Sequence, residues 1–265
     1  MLLGGVAHPI RGDFLSKQDD LVSKVPAVTL GFWIIKIAAT TLGETGGDAL
    51  SMSLDLGYLV STGIFAAVFS VAVAAQIRAK AFHPWLYWLT IIATTTVGTT
   101  LADFADRSLG IGYAGGSALL LVLLLGSLAM WYRTLGTVAI DTVISPRAEA
   151  FYWVTIMFSQ TLGTALGDWT ADSEGLGYVG AMLIFGGLLA IMAALYLWSR
   201  VSHTLLFWAA FVLTRPLGAV VGDFLDKPLD HGGLALSRFL ASAALLALMV
   251  VCIWFVPKRS AQRSH

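Results

Sequence analysis

Four tryptophans frame this chain. Trp33, Trp88, Trp153 and Trp208 are each followed fifteen residues later by an aspartate: Asp48, Asp103, Asp168 and Asp223. Ten residues after each Trp stands a glycine: Gly43, Gly98, Gly163 or Gly218. A second small residue precedes each Asp: Gly47, Ala102, Gly167 or Gly222. Nine residues past each Asp comes another glycine, Gly57, Gly112, Gly177 or Gly232. Tyr58, Tyr113 and Tyr178 follow three of them, and Gly233 takes that place in the fourth. The unit W-x9-G-x3-[GA]-D-x8-G-Y thus occurs four times, and a repeat of this length dictates architecture before any local pattern does.

Composition says where such units reside. Of 265 residues, 57% are hydrophobic and 12% charged, with mean hydropathy +0.80. Charge is absent from Tyr113 to Tyr132 and from Val179 to Trp198, and about 20 apolar residues suffice to cross the hydrocarbon core. The Trp intervals of 55 (33 to 88), 65 (88 to 153) and 55 (153 to 208) leave room for two spans per unit. The expectation is an all-α polytopic membrane protein whose eight transmembrane helices form four parallel two-helix repeats around a central polar stripe. The spans fall near 26–47, 57–77, 84–103, 112–132, 149–168, 177–198, 204–223 and 235–256. This divides the chain into a mobile cytoplasmic tail (1–24), repeats 1 and 2 with helices 1–4 (25–132), and a cytoplasmic linker (133–148). Repeats 3 and 4 with helices 5–8 follow (149–256), then a basic C-terminal tail (257–265).

Basic residues cluster on one side of these spans, among them Arg11, Lys24, Arg78, Lys80, Arg133, Arg147, Arg200 and Lys258, which puts both termini in the cytoplasm. Arg107, Lys227 and Arg238 fall on the other side, among acidic loop residues such as Asp106, Asp172 and Asp226. Each repeat crosses twice, so all four share one orientation, unlike inverted repeats. A net charge of zero argues against nucleic acid as a partner. The single cysteine, Cys252, excludes an internal disulfide. No H-E-x-x-H, G-x-S-x-G or P-loop pattern occurs, so no enzymatic activity and no ATP-driven step is expected.

Positions four apart on a helix share a face. Counting +3, +7, +11 and +15 from each Trp gives Lys36, Thr40, Glu44 and Asp48 in repeat 1. Repeat 2 gives Ile91, Thr95, Thr99 and Asp103, and repeat 3 gives Ile156, Gln160, Thr164 and Asp168. Repeat 4 gives Phe211, Arg215, Ala219 and Asp223, with Pro216 beside the arginine. The even-numbered spans carry almost nothing ionisable, so four odd helices are expected inside and four even ones toward lipid. The G-x-x-x-[GA] pairs would let the inner backbones approach closely. Ionisable groups within spans are costly and mark pathways. Lys36 and Glu44 could pair internally, and Arg215 could neutralise a neighbouring Asp. The plainer readings are that the Asp residues begin hydrated loops and that the Trp residues anchor a membrane belt.

The fourfold two-span unit with its recurrent Trp resembles a bacterial integral-membrane family of tandem repeats of unknown function, over about residues 25–256. That resemblance implies an eight-helix protein of the bacterial inner membrane and brings no substrate. From the residues, the leading expectation is a secondary transporter for a small inorganic cation, a divalent metal with Mn²⁺ favoured and export preferred. Its site comprises Asp48, Asp103, Asp168, Asp223 and Glu44 as hard oxygen ligands, with Thr40, Thr95, Thr99, Gln160 and Thr164 beside them. Lys36 and Arg215 compensate charge, and Trp33, Trp88, Trp153 and Trp208 serve as pathway or anchor. One alternative is transport of an organic anion or zwitterion through Lys36 and Arg215. Another is a scaffold or sensor that transports nothing. No cofactor beyond a bound divalent cation is expected. The bilayer is the main partner, and assembly of identical chains stays open.

Overall fold

The computed structural model describes residues 23–173, 175–256 and 259–261, so most of the expected N-terminal tail lies outside the described residues. Among these residues, eight long helices succeed one another. They are α1 Leu30–Asp48, α2 Gly57–Arg78, α3 Pro84–Asp103, α4 Tyr113–Leu135, α5 Pro146–Asp168, α6 Gly177–Trp198, α7 His203–Asp226 and α8 Arg238–Phe255. Local chemistry sets their ends. The Thr29 hydroxyl accepts from Phe32 N–H, so α1 starts at Leu30 and not at 26. Pro84 and Pro146 occupy first turns, where a missing N–H costs nothing. Gly136, at φ 76, closes α4 in the left-handed region that a side chain disfavours. α8 begins only at Arg238, after a turn with Gly232 and Ala235 at positive φ.

The odd helices form a closed ring in which α1 packs on α3, α3 on α5, α5 on α7, and α7 back on α1. The even helices lie outside it: α2 on α3, α4 on α5, α6 on α7, and α8 on α1. Each outer helix therefore covers the helix that follows it in sequence, and the last helix covers the first. Five helices (α2, α4, α6, α7 and α8) are long and apolar enough to cross a membrane, and the chain is a membrane protein. α1, α3 and α5 carry more buried polar residues, including Lys36, Glu44, the four threonines at 94, 95, 99 and 100, and Gln160.

The repeat glycines make the ring. A methyl group on Gly43 would collide with Thr95, one on Gly98 with the Gln160 backbone, one on Gly163 with Arg215, and one on Gly218 with Thr40. Every contact joins the +10 glycine of one inner helix to the +7 residue of a ring neighbour, four times around. One turn further, Gly47 meets Thr99, Gly167 meets Ala219, and Gly222 meets Glu44. Small residues here let polar side chains lie in backbone grooves and bring the helices together.

At the Trp end a second cyclic set closes the axis. The residue before each Trp is aromatic and buried: Phe32, Tyr87, Tyr152 and Phe207. Each packs on the Trp of a ring neighbour, Phe32 on Trp88 at 5.4 Å, Tyr87 on Trp153 at 5.7 Å, Tyr152 on Trp208 at 6.1 Å and Phe207 on Trp33 at 5.9 Å between ring centroids. Tyr87 and Tyr152 hydroxyls share a hydrogen bond of 2.6 Å. Trp88, Trp153 and Trp208 are thus interior residues, buried in a layer of rings, and a membrane belt is not their setting.

The segment before α1 and the segment after α8 meet at the Trp end of the bundle. Pro26 and Ser260 form an isolated antiparallel bridge, flanked by Ala27 N–H to Arg259 O and Ala261 N–H to Val25 O. Lys24 donates to Glu149 at 2.7 Å and to the Gln76 and Ile77 carbonyls, and Ser23 donates to Ile140 O. These two residues, expected in a mobile tail, are fixed because a buried ammonium must find acceptors.

Candidate functional site

Between the aromatic layer and the Asp end, the four inner helices turn polar groups toward one another. Deepest lies Lys36 on α1, fully buried, its Nζ 4.1 Å from the centroid of the Phe211 ring of α7. This is a cation–π geometry. Lys36 does not pair with Glu44, because eight helical residues separate them by about 12 Å along the axis.

One turn above come Thr40, Thr95, Gln160 and Arg215, all fully buried. Thr40 donates within reach of the Lys36, Ile37 and Thr214 carbonyls, tying α1 to α7. Arg215 climbs a further turn, where the smaller Ala219 leaves room. Its Nη2 donates to Glu44 Oε2 at 2.9 Å and also to the hydroxyls of Thr99 and Thr164. Thr99 in turn donates to Glu44 Oε2 at 3.2 Å. One guanidinium group thereby joins all four inner helices. The sequence pointed to an Asp as the partner of Arg215, but Glu44 takes that role because it sits at the height the guanidinium reaches.

Asp48, Asp103 and Asp168 end α1, α3 and α5, and Asp223 stands one turn before the end of α7, each no more than 4% exposed. Two cations join them in pairs. Arg107 bridges Asp103 (2.9 Å) and Asp168 (3.4 Å), while Lys227 bridges Asp223 (3.0 Å) and Asp48 (2.6 Å). Arg238 adds a contact of 2.8 Å to Asp226, which closes α7 as a buried residue and is no loop group. Oxygens of Glu44, Asp48 and Asp103 lie within 4.8 Å of one another, as do those of Glu44, Asp168 and Asp223, and those of Asp48, Asp223 and Asp226. Glu44 belongs to two of these triads and links both halves. Asp48 Oδ1 and Asp168 Oδ1 are buried without a hydrogen-bond partner among the described residues. The chemistry of this set, hard oxygens with unfilled acceptor capacity, fits a divalent cation.

Beyond the aspartates, α1, α3 and α5 continue into π-helical turns, Ala49–Ser53, Phe104–Ser108 and Trp169–Ser173. Such turns re-aim side chains and gather at functional sites. The second carries Arg107. Burial pulls Arg107 and Lys227 down, yet Asp103 and Asp168 around one, and Asp223 and Asp48 around the other, hold both pKa values above the ordinary range. Both cations stay charged at any pH the protein meets.

Sequence reasoning missed these bridging cations. Arg107 and Lys227 each stand four residues after a repeat aspartate, one helical turn on, and that spacing was the available signal. Arg238 had none. The aromatic residue preceding each Trp was also overlooked, although it recurs four times.

A family model described as Repeat of Unknown Function (DUF347) matches residues 31–82, 86–137, 151–202 and 206–260. No curated protein and no solved structure matches the chain.

Proposed function

We propose a transport function for this chain, which belongs to the DUF347 family of repeats of unknown function, with four copies across residues 31–260. In this reading all eight helices cross the bacterial inner membrane with both termini cytoplasmic. The protein is a secondary transporter for a hard divalent cation, Mn²⁺ favoured, moved outward. One observation carries the reading. Five buried carboxylates from all four ring helices fall into overlapping triads whose oxygens lie within 4.8 Å of one another, and Asp48 and Asp168 each keep an oxygen without a partner among the described residues. Burying that many acids is costly unless a cation repays it.

The residues take distinct parts. Asp48, Asp103, Asp168, Asp223 and Glu44 replace the water shell of the cation. Thr99 and Thr164 hold the Arg215 guanidinium against Glu44 while the site is empty of substrate. Arg107 and Lys227 stand in for the substrate at the Asp end and must yield when it binds. The aromatic layer seals the other end, so passage requires Phe32, Tyr87, Tyr152 and Phe207 to part. No ATP-binding pattern is present in the sequence, so a proton or the membrane potential supplies the energy.

The test is flux of Mn²⁺ and Mg²⁺ into proteoliposomes. The double variant Asp103→Asn/Asp168→Asn is expected to lose at least tenfold in rate while retaining its fold. Undiminished flux in that variant would remove the carboxylates from the pathway.

A further inference from the structure

Below the Arg215–Glu44 pair, a second group of buried polar atoms remains unexplained by the carboxylate site. Lys36 Nζ, Thr95 Oγ1, Gln160 Nε2 and Oε1, and Arg215 Nε and Nη1 are all buried with no hydrogen-bond partner among the described residues. Their parent residues are fully buried, and one comes from each inner helix. Buried polar groups are nearly always partnered, and each exception calls for a reason.

These groups occupy successive levels of the bundle: Lys36 beside Phe211, Thr95 and Gln160 one turn above, and the Arg215 guanidinium one turn above that. Thr95, Gln160 and Phe211 stand one helical turn before Thr99, Thr164 and Arg215, the residues joined at the guanidinium. Lys36 lies on the Phe211 ring, so its ammonium sits one turn below Arg215 on the adjoining helix. The side chain of Arg215 runs past Gly163, one turn beyond Gln160, and the Gln160 backbone lies against Gly98. Ile91, Ile156 and the aromatic layer close the space beneath.

The donors outnumber the acceptors. An ammonium, two guanidinium nitrogens, an amide NH₂ and a hydroxyl confront one amide oxygen and an aromatic face. The charges tell the same story, because Glu44 is already matched by Arg215 at 2.9 Å and Lys36 has no carboxylate partner among the described residues. A buried ammonium without a counter-charge is expensive.

We propose that Lys36, Thr95 and Gln160 form an anion site at the centre of the ring, for a halide or similar small monovalent ion. The anion accepts from Lys36 Nζ, Gln160 Nε2 and Thr95 Oγ1, below the Arg215 charge, and it balances an ammonium that has no carboxylate partner among the described residues. The site stands independently of cation transport through the aspartates.

The experiment uses the purified full-length protein in a non-ionic detergent without divalent cations. Sodium chloride or bromide is titrated against sodium gluconate at constant ionic strength, and the melting temperature is followed. A saturable rise with halide that gluconate does not reproduce is expected. Its midpoint should move at least tenfold in Lys36→Met and in Gln160→Leu. Should Lys36→Met not fold, Gln160→Leu decides alone, since its amide makes no hydrogen bond within the described structure. Equal melting in halide and gluconate overturns the site, as does an unchanged halide midpoint in any variant that folds. With divalent cations absent, failure here leaves the transport reading untouched, and loss of cation flux leaves this site untouched.

Discussion

Arg215 is the residue on which the interior of the ring turns. It is fully buried and bound to Glu44, Thr99 and Thr164, so its removal leaves a carboxylate in the core with only a threonine hydroxyl for company. Breaking a buried pair from one side typically costs about 3–5 kcal/mol. Arg215→Met should therefore lower stability by that order in denaturant or thermal unfolding in detergent, and adding Glu44→Gln should recover much of the loss. Equal instability of single and double variants would show that packing, and not charge, is what Arg215 supplies. The sequence exposed Lys36, Glu44 and Arg215 because an ionisable group in an apolar segment is conspicuous. It hid their pairing, which depends on helix height: Lys36 is two turns from Glu44, while a long arginine climbs a turn past Ala219. Arg107, Lys227 and Arg238 were hidden differently. They lie beyond the helix ends, where a charge looks like an ordinary loop residue until a structure folds it back over Asp103, Asp223 and Asp226.

Helix against helix, the decisive contacts are made by glycine. Gly98 faces Gln160 backbone and Gly163 faces the Arg215 stem and Pro216, so a methyl group at either must push two inner helices apart. Gly126, on the outer helix α4, has nothing within 4 Å of its missing side chain. Gly98→Ala and Gly163→Ala are each expected to cost about 1–3 kcal/mol through overpacking. Gly126→Ala should be neutral or stabilising by about 0.5–1 kcal/mol, from reduced chain freedom. Thermal melts of the three variants in one detergent check this, and a loss at Gly126 equal to that at Gly98 would contradict it. At this scale the sequence was informative. Period, spacing and small residues placed all eight helices within a few residues of their observed ends. Which outer helix covers which inner one was not legible, because α2 could as well have leaned on α1 as on α3. Connection lengths permit both, and only packing chooses.

Across the molecule, the four repeats act as two pairs. The Asp103–Arg107–Asp168 bridge and the Asp223–Lys227–Asp48 bridge are the same device, each running from an even-numbered repeat to the next one round the ring. The Trp intervals of 55, 65 and 55 (33 to 88, 88 to 153, 153 to 208) show the same two-fold alternation but group repeat 1 with 2 and repeat 3 with 4, so the bridges tie together repeats that the sequence sets apart. The interior breaks it, since Glu44 and Arg215 have Thr164 and Thr95 as counterparts. A ring closed by α7 on α1 and covered there by α8 has no structural beginning, and residues 25 and 261 already touch. A circular permutant that joins 261 to 23 and opens between Gly136 and Val138, just after α4, should insert and elute as a single species in size-exclusion chromatography. Aggregation of the permutant alone would argue against equivalent repeats. The same closure has a consequence for how the chain is made. Among the eight helices α1 is made before the others, yet Arg215 on α7, which partners Glu44, and α8, which covers α1, are made after the rest. Glu44 precedes its counter-ion by 171 residues of chain, so a chain cut short before Arg215 would hold an unneutralised acid in α1.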